Sequence, residues 1–224
     1  MQIGYGFLKL MDKTITALEP QVKNPDRINV SLDGEFAFGL SRFVGAWLSV
    51  GQKLTADRIA ALLNTDEKER ALQSAFRFIG YKQRTEKEVV QKLEKLNFSR
   101  ETITDVLDEL LEKEYVNDKD FAVQWVELRS QSKPRSKQYI KMELNKKGIS
   151  DSIINHALEH APDDLDSAVT LGKKYISRFL KISDVEFRKK ITGILARRAF
   201  SYSVIHEALS FLISIREENL INKE

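Results

Sequence analysis

The residues in this chain that could do chemistry are few, and they are best taken first. His156, His160 and His206 are the only histidines. His156 and His160 stand four apart, one helical turn, a spacing that can offer two imidazoles to one metal ion, but no Glu or Asp completes a zincin pattern beside them. A solvated pair is the better reading. Gly45 to Lys53 resembles a phosphate loop only superficially: five residues separate Gly45 from Gly51, Gln52 precedes Lys53, and no Ser or Thr follows to hold a magnesium ion. Asp118/Asp120 and Asp163-Asp164 fall where helices should begin and complement the helix dipole there, with no partner suggesting acid/base work. The absence of cysteine removes disulfides and thiolate metal sites. No catalytic, cofactor-binding or metal-ligating residue is assigned, and the expectation is a non-enzymatic protein that needs no cofactor.

What remains is charge. A formal net charge of +3 conceals an alternation along the chain: residues 68–100 carry +5, 101–120 carry −6, 121–150 carry +5, 151–166 carry −5, 167–202 carry +7, and 203–224 carry −2. A basic segment followed by an acidic helix thus occurs three times. If the segments share an orientation, the basic parts collect on one side and form an electrostatic footprint for an anionic partner. The alternative is a set of ordinary solvated faces in which basic and acidic ends of neighbours neutralise each other. Charge alone does not tell phosphate from an acidic protein.

The elements that must position these charges are legible as a repeat. Leu93-Glu94-Lys95-Leu96-Asn97-Phe98-Ser99, Leu144-Asn145-Lys146-Lys147-Gly148-Ile149-Ser150 and Leu195-Ala196-Arg197-Arg198-Ala199-Phe200-Ser201 recur at a spacing of 51 residues. The register extends through Val89/Ile140/Ile191 and Ile103/Ile154/Ile205. Apolar positions 103, 106, 107 and 110 follow amphipathic-helix spacing, with Ser99, Ser150 and Ser201 at the N-cap. A preceding helix opens with a Thr85-x-x-Glu88 capping box, and Ser183-x-x-Glu186 repeats that signal. Gly148 and Asn97 suit the left-handed residue that ends it, Ala199 less so. A third helix per period is expected at Ala71 to Tyr81, Asp118 to Gln131 and Asp166 to Leu180. Aromatics at helical spacing, Phe76, Phe78, Trp125, Tyr175 and Phe179, read as core more than as a base-stacking platform.

Before the repeats the pattern is that of strands: Ile15 to Leu18, then Ile28 to Leu32 and Glu35 to Leu40 around Asp33-Gly34, a strong hairpin signal. Pro20 and Pro25 fence the intervening loop. Ser41 should cap a short helix ending near Gly51, and Thr55 another through Leu62. The expected fold is mainly α: three tandem three-helix repeats forming a curved helical array behind a small α+β module with a β-hairpin. Its parts are an extension at 1–13, the module at 14–64, and repeats at 65–116, 117–162 and 163–224. No signal peptide is visible and the longest apolar runs are too short to span a bilayer, so a cytoplasmic monomer is expected.

From about Ala71 to Leu209 the chain resembles the RecX regulators of the RecA recombinase. The resemblance rests on Tyr81-Lys82-Gln83-Arg84-Thr85-Glu86-Lys87-Glu88, on Glu114-Tyr115-Val116-Asn117-Asp118-Lys119-Asp120-Phe121-Ala122, and on the second and third heptapeptides. Asn97 and Ala199 depart from a glycine common in that family. The resemblance implies binding to RecA and to the RecA–DNA filament, with inhibition of its recombinase and ATPase activity in DNA repair and recombination. A DNA-binding protein using tandem helix-turn-helix-like repeats against phosphates is the alternative, and weak nonspecific nucleic-acid binding fits either. The basic residues expected to bind the partner are Lys82, Arg84, Lys133, Arg135, Lys137, Lys146, Lys147, Arg188, Lys189, Lys190, Arg197 and Arg198, although Lys146 and Arg197 also suit the C-terminal dipole of a helix.

Overall fold

The computed structural model describes residues 12–132 and 134–221; most of the expected extension and Lys133 lie outside them. The chain divides into two compact units, one holding the residues up to Lys82 together with Val89–Lys113, the other Gln83–Glu88 together with the residues from Glu114 onward.

The first unit begins with an antiparallel sheet of β1 (Lys13–Gln21), β2 (Asn24–Leu32), β3 (Glu35–Ser41) and the two-residue β4 (Lys53–Leu54), in the order β3-β2-β1-β4. Asp33 and Gly34 both adopt positive φ, 52° and 91°, as the two-residue hairpin turn requires. The prolines do not fence a loop. Pro20 pairs with Ile28 inside β1 and Pro25 lies inside β2, so the strands run on to a tight turn at Val22-Lys23. The chain's irregular register near Pro20/Gln21 absorbs the missing donor. Ile15, Val30, Leu32, Leu40, Leu48, Leu54 and Leu62 form this core.

Ser41 caps α1 as expected, but α1 (Arg42–Gly45) is a single turn. Thr55 also caps as expected, accepting from the Arg58 amide at 3.2 Å, yet α2 continues from Ala56 to Tyr81. The two helices expected there are one, because 64–67 holds no Gly or Pro and its polar side chains have work. Asp66 is 3% exposed and accepts from the Ser41 amide and the Arg27 guanidinium; Glu67 accepts from the Ser99 amide at 2.8 Å. The expected module boundary at 64/65 falls inside α2. The unit is completed by the part of α3 (Glu86–Glu94) from Val89 onward and by α4 (Arg100–Glu112).

The second unit carries α5 (Asp118–Gln131), α6 (Lys137–Lys146), α7 (Asp151–Glu159), α8 (Asp164–Ile176) with a 3-10 turn at Ser177–Phe179, α9 (Asp184–Ala196) and α10 (Tyr202–Ile221). The repeat is visible residue by residue. Val89, Ile140 and Ile191 are buried, and Leu93, Leu144 and Leu195 are fully so. Asn97, Gly148 and Ala199 all take left-handed φ, 60°, 92° and 58°. At each turn the leucine carbonyl accepts from the amide five residues on, Phe98, Ile149 or Phe200, closing the helix end. The alanine therefore follows the same path as the glycine, held by the burial of Leu195 and Phe200 on either side of it.

The joints between repeats in the second unit are also repeated. Thr85 Oγ1 donates to the Lys147 carbonyl at 2.9 Å, and 51 residues later the Ser136 amide donates to the Arg198 carbonyl at 3.2 Å. Beside each joint an aspartate at the start of the next helix accepts a backbone amide, Asp118 from Glu86 at 3.0 Å and Asp164 from Lys137 at 2.8 Å.

Candidate functional site

A strongly charged concavity lies in the third repeat and arises from how α9 is patterned. Phe187, Ile191 and Leu195, four apart, turn inward and are fully buried. The flanking stripe of the same helix, Glu186, Lys189, Lys190, Gly193 and Ile194, with Arg197 just past its end, then lines a cleft of about 650 Å³ whose other wall is Tyr175, Arg178 and Phe179.

The walls are fixed from behind by Arg216 of α10, which is 4% exposed. Its guanidinium bonds the carbonyls of Leu180 and Ile182 and the carboxylate of Asp184, and lies 4.9 Å from the centroid of Phe187. It thereby satisfies carbonyls left over where α8 ends and ties that end to the start of α9.

Within the cleft, Tyr175 and Phe179 stack at 5.9 Å with their planes 16° apart. The Arg178 guanidinium and the Lys190 ammonium lie 5.9 and 5.7 Å from the Phe179 centroid. The rings are thus engaged with each other and with cations, and they hold positive charge in place more than they offer a bare face for a base. Four cations, Arg178, Lys189, Lys190 and Arg197, meet a single carboxylate, Glu186, and none of the four has an ion-pair partner among the described residues. Such a cleft attracts anions, and its attraction falls with added salt.

The expected basic residues separate into distinct groups. Lys189, Lys190 and Arg197 come together in the cleft, with Arg188 exposed beside Lys189 on the same helix. Lys146 and Lys82 are exposed, Lys82 directly after α2. Arg135 is turned inward: it pairs with Glu143 at 3.0 Å and lies 4.3 Å from the Tyr139 centroid. Lys147 is likewise internal, 2.8 Å from Glu88 and 5.1 and 4.9 Å from the rings of Phe121 and Trp125. Arg84 is half-buried and its charge helps hold the Glu88 carboxyl ionised; Arg198 is half-buried at the joint, and Lys137 faces Asp163 at 3.9 Å. Lys133 lies outside the described residues.

Arg178 was not among the expected residues, although Tyr175 and Phe179 at helical spacing with Arg178 beside them was a readable signal. His156 pairs with Glu159 at 3.3 Å, and no group of three metal-binding side chains occurs among the described residues. No helix among them is long and apolar enough to cross a membrane.

Comparisons with known proteins match this architecture along its length. A family model described as the regulatory protein RecX N-terminal domain matches residues 13–55, and models of the first, second and third three-helix domains of RecX match 71–110, 117–158 and 162–209. The chain is 31% identical over 208 residues to a regulatory protein RecX of Bacillus pumilus, covering 91% of this chain and 79% of that protein. It is 29% identical over 213 residues to one of Bacillus cytotoxicus, covering 92% and 79%. A crystal structure of a regulatory protein RecX aligns with a TM-score of 0.63 at 26% identity, covering 88% of this chain and 98% of that one. The crystal structure of RecX from Lactobacillus salivarius aligns at 0.58 and 29%, covering 66% and 97%.

Proposed function

This chain belongs to the RecX family of regulatory proteins, and on that footing we propose that it binds the RecA recombinase and its filament on DNA and lowers recombinase and ATPase activity. It acts without catalytic chemistry of its own, as a monomer in the cytoplasm. The partner comes from the family resemblance; the observation that carries a docking role is the third-repeat cleft, where four cations without ion-pair partners among the described residues face one carboxylate. A surface of that kind is suited to an acidic stretch of a protein filament. Repeated units also suit a repeating partner, since contacts with successive subunits raise the effective concentration of one another.

The alternative, a DNA-binding protein acting on phosphates alone, would use the same cations. The experiment that separates the two titrates the purified chain into single-stranded-DNA-dependent RecA ATPase and, in parallel, into the same DNA without RecA. Inhibition at concentrations well below those that saturate bare DNA supports the RecA-directed reading. Tight binding to DNA with no effect on RecA until the DNA is covered supports the alternative.

A further inference from the structure

We infer that the first unit holds a second anion site, a cleft that takes a ligand with two linked or successive phosphates. The cleft, about 540 Å³, lies between the start of β2, one face of α2 and the turn after α3; its charged and polar lining includes Asn24, Arg27, Arg70, Gln73 and Arg77. It is distinct from the third-repeat cleft and does not depend on the RecA reading.

The charge balance is what makes it a site. Asp66, buried behind the cleft, is used up on the protein side. It accepts both nitrogens of Arg27, at 3.1 and 3.3 Å, and the Ser41 amide at 2.6 Å. Arg27 also donates to the Gly39 carbonyl at 2.8 Å, so it is a fixed part of the wall. Arg70 reaches Asp66 only at 4.0 Å, its side chain is 53% exposed, and its guanidinium lies 5.7 Å from the Phe98 centroid. Arg77 spends one donor on the Gln73 carbonyl at 3.3 Å and has no carboxylate partner among the described residues. Asp26 is the one carboxylate that lines the cleft. Two guanidiniums are thus left with donors for a ligand.

Two guanidinium forks on one helix face select the ligand. Arg70 and Arg77 are seven residues apart on α2, two turns or roughly 10 Å along its axis. A lone carboxylate, with two oxygens, satisfies one guanidinium fork. Two linked or successive phosphates carry oxygens for both forks, on which two long arginine side chains from one helix face can converge. Gln73 lies between them on the same face, one amide hydrogen used on Glu69 at 2.9 Å, and Asn24 uses only its oxygen, on the Asp26 amide at 3.2 Å. Both amides therefore keep an N–H for a phosphate oxygen.

Two phosphate sources present this chemistry, a free diphosphate and the backbone of single-stranded nucleic acid. The test uses the full chain, calorimetric titration with inorganic pyrophosphate, and anisotropy of a labelled oligothymidylate with pyrophosphate as competitor. Pyrophosphate should bind the unaltered chain, and Arg77→Gln, which breaks no ion pair, should weaken it by about tenfold or more; Arg70→Gln/Arg77→Gln should weaken it further. Charge reversal in the third-repeat cleft should leave the Arg77-dependent part of pyrophosphate binding unchanged. Loss of oligothymidylate binding in the Arg77 variant identifies a nucleic-acid backbone as the ligand; a loss confined to pyrophosphate identifies a free diphosphate. Absence of pyrophosphate binding to the unaltered chain, or unchanged affinity in a folded Arg77→Gln chain, overturns the site.

Discussion

The Nζ of Lys147 lies 2.8 Å from the Oε1 of Glu88, joining the turn that ends α6 to the capping box that starts α3. Lys147 and Glu88 are 19% and 23% exposed, and the ammonium also lies about 5 Å from each of the stacked rings of Phe121 and Trp125. A lysine that reads in sequence as part of a docking stripe is, in the fold, a fastener between consecutive repeats. Lys147→Met should therefore lower unfolding stability by about 1–3 kcal/mol, the range for a charged hydrogen bond lost from a half-buried site. Urea denaturation measures this, and the folded variant should still inhibit RecA. Normal stability with lost inhibition would return Lys147 to the docking surface.

The same joint carries an acid dependence with two signs. Burial works to raise the Glu88 carboxyl, but the bonds from Lys147 and the Thr85 amide outweigh it and hold it below the usual range. Glu88 thus contributes stability that is complete above its unfolded value, about 4.3, and is lost as pH falls through the lower folded value. Asp118 is the opposite case: burial raises its carboxyl, only partly countered by the Glu86 amide. Its ionised form costs stability near neutrality; the cost begins to shrink as pH falls through the raised folded value and is gone below the unfolded value, about 3.9. The advantage of the unaltered chain over Glu88→Gln should vanish in acid, while its stability relative to Asp118→Asn should improve as pH falls from that raised value towards the unfolded value, about 3.9. Denaturant midpoints across pH 3–7, an interval of about four units around these reference values, would show both; parallel curves would contradict the assignment.

The third left-handed turn invites a stabilising change. Ala199 sits at φ 58° where Gly148 sits at 92°, and a left-handed alanine costs about 1–2 kcal/mol. Ala199→Gly should gain up to about 1 kcal/mol after the added freedom of the unfolded chain is subtracted. Gly148→Ala should lose more than that gain, because its new Cβ would also come within 2.5 Å of the Lys87 side chain. Thermal unfolding of the two variants should move in opposite directions.

The repeat cores should respond alike. Leu93, Leu144 and Leu195 are each fully buried, so alanine at any of them should cost about 2–5 kcal/mol by leaving a cavity. Chemical denaturation giving a near-neutral value at Leu144 alone would break the equivalence.

How much of this was legible follows from the range of each signal. The caps at Ser99 and Ser201 and the Asp33-Gly34 turn are written within a few residues of where they act, and the period of 51 is written in the residues themselves; Ser150 holds the N-cap position without a side-chain cap bond, its hydroxyl meeting that of Ser152. The continuity of α2 was not, because Asp66 looks like a loop residue until Arg27, distant in sequence, is brought beside it. Pro20 and Pro25 were misread for a similar reason: a proline ends pairing only where its amide is needed. For the basic residues, sequence identified the charges but not their company. Arg135 and Lys147 meet Glu143 and Glu88 only through packing, while Lys189, Lys190 and Arg197 keep open water on the face flanking a buried stripe that the helical period makes visible.

The RecA-directed account is tested most directly by single-stranded-DNA-dependent RecA ATPase measured against increasing concentrations of the unaltered chain and of a variant with Arg178, Lys189, Lys190 and Arg197 replaced by Glu. The four side chains line one cleft and make no ion pair among the described residues, so circular dichroism and the unfolding midpoint should change little. The unaltered chain should inhibit, less so as salt rises, and the variant should need at least about tenfold more protein for the same effect, about 1.4 kcal/mol of lost association. Undiminished inhibition by the folded variant, or no inhibition by the unaltered chain at any concentration, would contradict it.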